Sequence, residues 1–191
     1  MTEQEKFNKS IEFSLKYEGA FNWVLKEGKP VLKSGAKNDT GGLTSYGVTN
    51  STLQTAYKQG IVSHNDITKL TVEEAKLIYK KNYWDKFDWG VLEWPVCMCC
   101  LDMAINHGPK GCATILQRAI NDCGGNVVVD GAYGPKSKAA AKACDPKKLA
   151  AAIVARRKEY YEKIVANKPN QKVFLKGWLN RNSAMAKLAG V

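Results

Sequence analysis

The chain has 191 residues, 45% of them hydrophobic and 25% charged, which is the composition of a globular protein with one sizeable core or two small ones, and which excludes a disordered chain. A formal net charge of +11 implies a polyanionic partner, and its sign alone leaves nucleic acid, an anionic membrane surface and an anionic wall polymer all open. The polar start MTEQEKFNKS has no signal-peptide pattern and no apolar run reaches about 18 residues, so the sequence predicts cytosolic synthesis and no stable membrane insertion.

In chain order, Phe7, Ile11, Leu15 and Glu18 recur at helical spacing, and Gly19 follows as a stop signal. Glu18 therefore closes an apolar stripe at a helix C-terminus. There the negative end of the macrodipole, with Tyr17 and Phe21 nearby, suits the uncharged carboxyl of a general acid. An exposed glutamate on a fraying last turn is the plainer alternative. From Gly28 to Gly47 helical periodicity gives way to Gly, Ser, Lys, Asn and Asp around Val31 and Leu32, predicting a loop or small β-hairpin lobe.

Beyond it, Asn50 or Ser51 is the expected cap of a short helix through Tyr57, and Thr71-x-x-Glu74 is a capping box for the next. The aromatic run containing Trp84, Phe87, Trp89 and Trp94 reads as core packing or as a sugar-stacking surface. Pro95 is placed to open an apolar helix that stops at Gly108, with Asp102 and Asn106 forming a polar stripe toward solvent or a cleft. A helix over 113–120 and a loop follow, and then Asp145-Pro146 caps a long helix whose Leu149, Ile153, Arg156 and Tyr160 share a face. Phe174, Trp178 and Leu179 suggest a last helix. The architecture expected is mainly α with a small β-lobe near the N-terminus.

Six cysteines, at 97, 99, 100, 112, 123 and 144, lack the spacing of a secreted disulfide scaffold and read as mostly reduced core residues. Cys97-x-x-Cys100 has no second pair at zinc-site spacing, and His64 and His107 are the only histidines, so no metal site is predicted. Lys and Arg are scattered rather than interleaved with stacking aromatics, which argues against nucleic acid.

Glu18-Gly19-Ala20-Phe21 and Asp39-Thr40-Gly41-Gly42-Leu43-Thr44-Ser45-Tyr46-Gly47-Val48-Thr49 resemble the signatures of the glycoside hydrolase family 108 muramidases, lysozyme-like peptidoglycan hydrolases of phages and prophages. The resemblance continues through Leu70–Ala75, Tyr79, Tyr83-Trp84, Asp102–Gly108, Leu116-Gln117, Asp130–Pro135 and Gly177–Arg181, nearly the whole chain. Ala20 replaces a family glycine, the stretch from Trp23 to Lys37 is long for the pattern, and the cysteines are not part of it. Residues 116–140 also resemble a peptidoglycan-binding pattern, with Ser137 where Thr is usual.

The resemblance implies a monomeric lysozyme-like fold in two parts, 1–95 carrying the muramidase residues and 96–191 helical and peptidoglycan-binding, packed as one globular unit. It implies cleavage of the β-1,4 bond between N-acetylmuramic acid and N-acetylglucosamine without metal or organic cofactor, by an endolysin made in the host cytoplasm. Glycosidic cleavage needs an acid for the leaving oxygen and a second group that activates water or steadies the oxocarbenium-like centre. By resemblance Glu18 is the acid, Asp39 the base or electrostatic partner, and Thr44 the hydroxyl that positions water. Tyr46, Asn106 and Gln117 stand at substrate-binding positions. An Asx-type turn at Asp39, a packing role for Tyr46 and a capping role for Asn106 are the structural alternatives. A non-catalytic peptidoglycan-binding module and a lytic transglycosylase are the competing functions.

Overall fold

The computed structural model describes residues 1–33 and 42–191, and the chain divides into two compact units, residues 14–86 and residues 1–13 with 87–191. The elements are α1 (Glu3–Glu18), β1 (Trp23–Lys26), β2 (Lys29–Leu32), β3 (Thr44–Ser45), β4 (Val48–Thr49), α2 (Asn50–Lys58), α3 (Val72–Tyr79), α4 (Val96–Asp122), α5 (Pro135–Ala143), α6 (Pro146–Asn167) and α7 (Lys172–Ala189). Among the described residues, no helix is long and apolar enough to cross a membrane. The mainly α architecture with small β-hairpins near the N-terminus is the one the sequence predicts.

In the 14–86 unit, α1 ends at Glu18 and Gly19 takes a φ of +72°, the left-handed stop that its sequence position predicts. β1 and β2 pair antiparallel from Trp23↔Leu32 to Lys26↔Lys29, and β3 pairs with β4 through Thr44↔Thr49 and Ser45↔Val48. The long stretch after Trp23 is thus, as far as it is described, a hairpin. α2 is capped by Thr49, not by Asn50 or Ser51: the Thr49 hydroxyl accepts from the Thr52 amide at 3.1 Å. The reason is that β4 runs straight into the helix, so its last extended residue already has cap geometry. Thr71 and Glu74 form the reciprocal capping box that the sequence predicts. A π-helical turn, Lys80–Asp85, follows α3 and buries Trp84 completely.

In the other unit, α4 is two helical segments joined at Gly108, whose φ of 71° and ψ of 167° are not helical. The expected stop is real, but Pro109 restarts the helix at once, because a residue without an amide hydrogen costs nothing in a first turn. The first segment is core, with Cys97 through Ala104 all buried. Asp102 corrects the expectation of a stripe toward solvent or a cleft. It is fully buried, 2.8 Å from Arg157 Nη2 of α6 and 2.7 Å from Arg181 Nη2 of α7. The buried face of α6 is correspondingly Leu149, Ile153, Arg157 and Tyr161, one residue on from the predicted Arg156 and Tyr160 in its second half. Arg156 instead makes surface pairs with Asp122 and Glu159. Of the aromatic run, Trp84 and Trp89 are core residues, and Phe87 stacks on Trp89.

His107 sits beside this charge cluster. Its Nε2 accepts from Arg157 Nε at 3.1 Å, which requires a neutral ring, and burial, reinforced by the Arg157 charge, presses it down to about 3. In the unfolded chain the same ring takes a proton near pH 6.5. Stability is therefore full above pH 6.5 and declines as pH falls toward 3, because only the unfolded state binds the proton. Between pH 7 and 5, before ordinary carboxylates titrate, the loss is expected to be about 2 kcal/mol in urea unfolding and to vanish in His107→Gln.

Candidate functional site

The described part of the candidate site is built by three short pieces of the 14–86 unit. The first is the end of α1, where the Gly19 turn carries the chain away directly after Glu18, leaving the half-buried carboxyl at the helix terminus. The second is the β3–β4 hairpin. Its two turn residues, Tyr46 and Gly47, have φ of +52° and +77°, the pair of left-handed conformations that a two-residue type I′ turn needs. A tyrosine at such a φ is strained, and three contacts hold it there. The Tyr46 amide donates to Ala20 O at 2.6 Å, its carbonyl accepts from the Tyr79 hydroxyl at 3.0 Å, and its ring meets Phe21 edge-on at 5.3 Å. The third piece is the last turn of α3, which supplies Tyr79.

Gly47 shows how closely these pieces approach. A Cβ placed there would lie 2.5 Å from the Tyr79 hydroxyl and 3.0 Å from both Glu18 Cβ and Glu18 Oε2. Only hydrogen fits between the carboxyl and the hairpin. Tyr83, one turn past Tyr79, is raised above its ordinary range by burial first and then by the negative charge of Glu18, so its phenol also lies within the field of that carboxylate. Gly47→Ala is expected to impose left-handed strain and to push Glu18 or Tyr79 aside, destabilising by roughly 1–3 kcal/mol. Activity measured well below the melting temperature should fall at least about tenfold, since a displaced catalytic group loses its alignment.

Thr44 opens β3, two residues before the turn. Asn22 fixes it: the Thr44 amide donates to Asn22 Oδ1 at 2.7 Å, the Asn22 amide donates to Thr44 O at 3.3 Å, and Asn22 Nδ2 donates to Gly42 O at 2.8 Å. Phe21 bridges to Ser45 in the antiparallel sense, and Trp23 Nε1 donates to Ser45 Oγ at 3.1 Å. Glu18, Thr44 and Tyr46 thus belong to one stapled assembly. Asp39 lies outside the described residues. Asn22, Tyr79 and Tyr83 were not singled out from the sequence as site residues, although Tyr79 and Tyr83 belong to the family pattern. The signal for Asn22 is a lone amide between two aromatics, four residues after the glutamate.

Asn106 and Gln117 lie in the other unit, on α4. Asn106 Oδ1 accepts from the Tyr161 hydroxyl at 3.1 Å and lies 3.5 Å from Arg157 Nη2, so it helps to seat the buried arginine. Gln117 is 1% exposed. Its Nε2 faces Asp130 Oδ1, Ala132 O and Ser137 Oγ, and its Oε1 accepts from the Gly131 amide at 2.9 Å. That amide fastens the Asp130–Pro135 loop to α4. The sequence of the loop follows from this role. Asp130 caps the turn by accepting from the Ala132 amide, and Gly131 has a φ of +74° with Lys110 and Thr114 too close for a side chain. Pro135 then opens α5.

Comparison with known proteins finds two family models, and the first crosses the boundary between the two units at residue 86. Residues 21–108 match the family model for glycosyl hydrolase 108, beginning three residues after Glu18, and residues 112–183 match a model described as a predicted peptidoglycan domain. Among solved structures, the chain is similar to that of Brucella abortus SagA, at 27% identity over 97% of this chain and 94% of that one, with a TM-score of 0.70. No curated protein matches the sequence.

Proposed function

We propose, from the premise that this chain is a lysozyme-like glycoside hydrolase of family 108 acting on peptidoglycan, that it hydrolyses the β-1,4 bond between N-acetylmuramic acid and N-acetylglucosamine, with Glu18 as the general acid. The observation that carries this reading is the seating of Glu18. It ends a helix, its carboxyl lies within 3.0 Å of where a Cβ on Gly47 would stand, and two tyrosines stand beside it. A site that holds one carboxyl so closely restricts the direction in which it delivers a proton. Asp39 is assigned as the base or electrostatic partner and Thr44 as the hydroxyl that orients the attacking water. Phe21, Trp23 and Tyr46 form a chain of ring contacts at 5.2 and 5.3 Å next to this position, with apolar faces suited to pyranose rings. A net charge of +11 draws the enzyme to an anionic wall polymer. Lysis of a bacterial cell by a phage-type endolysin is the role that this activity fits.

Mass spectrometry of glycans released from purified peptidoglycan tests the reaction. Hydrolysis leaves reducing muramic acid ends that incorporate solvent oxygen from labelled water. A product population dominated by anhydro-muramyl ends would instead assign the enzyme to the transglycosylases. Reducing ends on N-acetylglucosamine would move the cleavage to the other glycosidic bond of the repeat.

A further inference from the structure

Arg156 and Tyr160, which lie one position off the core face of α6, line a pocket instead. It is formed by the second segment of α4 and by α6, lies wholly within the 112–183 stretch that matches the peptidoglycan model, and has a volume of about 260 Å³. Ile115 and Ile164 give it an apolar lining. The Tyr160 ring lies against His107, with centroids 5.0 Å apart, and Gly111 leaves room for that wall, since a Cβ there would stand 3.3 Å from the Tyr160 hydroxyl. Four charged side chains complete the lining, and two of them are already paired. Arg156 donates to Asp122 Oδ2 at 2.6 Å and to Glu159 Oε2 at 2.9 Å, which occupies the Glu159 charge as well. Arg118 and Lys163 remain. Both are exposed, and neither side chain has an ion-pair or hydrogen-bond partner among the described residues.

We propose that this pocket binds the free carboxylate end of a peptidoglycan stem peptide, with the carboxylate on Arg118 and Lys163 and the methyl group of a terminal alanine against Ile115 and Ile164. A guanidinium fork takes both oxygens of a carboxylate, and an ammonium adds a second positive charge. The volume is below the roughly 300–1,000 Å³ of pockets that enclose a drug-sized ligand, so it suits the end of a chain better than a disaccharide. Stacking of a sugar is further disfavoured because Tyr160, the one aromatic side chain among the described lining residues, is already in contact with His107. A hold on the peptide keeps the enzyme on the polymer between cleavages, so it acts on KM and not on kcat. The proposal rests on the reading that peptidoglycan is the substrate, and on neither the role of Glu18 nor the bond that is cut.

The test is an NMR titration of the isotope-labelled full chain with diacetyl-L-lysyl-D-alanyl-D-alanine and, separately, with its C-terminal amide. The acid should give saturable shifts clustered at residues 114–118 and 156–167. Affinity should fall at least about tenfold for the amide, and by as much for the acid on the double variant Arg118→Ala with Lys163→Ala, because each change removes charge-assisted hydrogen bonds. Both side chains are exposed, so the double variant should melt with the wild type. Lys158→Ala with Lys187→Ala removes the same charge from the open groove between α6 and α7 and should bind the acid like wild type. On intact peptidoglycan the Arg118 and Lys163 variant should show a raised KM at unchanged kcat. Equal binding of acid and amide, shifts centred elsewhere, or an equal loss in the Lys158 and Lys187 control would overturn the proposal. Saturable binding of inorganic phosphate at the same residues would do so too, by assigning the pocket to anionic wall phosphates. Hydrolysis without binding of the acid removes the pocket and leaves the reaction standing, whereas binding of the acid without hydrolysis supports the pocket and removes the hydrolase reading.

Discussion

Asp102→Asn is expected to lower unfolding stability by about 3–5 kcal/mol. The carboxylate sits at 0% exposure between two guanidinium groups that are themselves buried, Arg157 at 0% and Arg181 at 5%. With Asp102 charged, this cluster carries one net positive charge, and the neutral His107 and the amide oxygen of Asn106 take hydrogen bonds from Arg157 on its other side. Asparagine keeps the shape and removes the charge, leaving two cations facing each other in a medium that solvates neither. The consequence reaches three helices, since Asp102 belongs to α4, Arg157 to α6 and Arg181 to α7. Urea unfolding monitored by circular dichroism reads the loss, and thermal melting should show a drop of roughly 10 °C or more. Arg156→Ala one residue away, which removes only exposed pairs with Asp122 and Glu159, should cost less than about 1 kcal/mol. Equal losses in the two variants would mean that burial does not govern the energetics of the cluster.

Glu18→Gln is expected to reduce peptidoglycan hydrolysis by about 10²–10⁴-fold while leaving the fold intact. Glutamine matches the carboxyl in size, so it can occupy the narrow space against Gly47 and Tyr79, but it has no proton to give to a leaving oxygen. Loss of the acid falls on the chemical step, so the turnover rate should collapse while binding to insoluble peptidoglycan in a pull-down stays near the wild-type level. Turbidity clearing of outer-membrane-permeabilised cells supplies the rate, and the melting temperature of the variant controls for folding. If the variant clears cells as fast as wild type, the acid is another residue. If neither protein clears them, the chain binds peptidoglycan without cutting it.

Much of the fold was legible because its signals are local. The Gly19 stop, the Thr71 and Glu74 capping box, the Asp145-Pro146 start of α6 and the halt at Gly108 each satisfy backbone groups within a few residues, so a short window of sequence contains the whole interaction. The cap of α2 lies one or two residues before the Asn50 or Ser51 that residue type suggests, because strand β4 feeds the helix directly and no residue-type preference reports that continuity. Within the site, the ordered series from Glu18 to Thr49 points to the glutamate by resemblance alone. It could not reveal why Gly47 follows Tyr46, since that reason is the approach of Glu18 and Tyr79 from two other elements.

By itself, then, the sequence determined the mainly α class and most helix ends, which rest on short-range periodicity, and the resemblance to family 108, which rests on motif order. Tertiary structure alone decided which polar residues turn inward. Arg157 and Tyr161 rather than Arg156 and Tyr160 face the core, Asp102 is buried, and the Gln117 amide serves a loop. A polarity pattern assigns arginine and aspartate to the surface, and only partners contributed by distant helices can reverse that assignment, by replacing the solvation those charges lose.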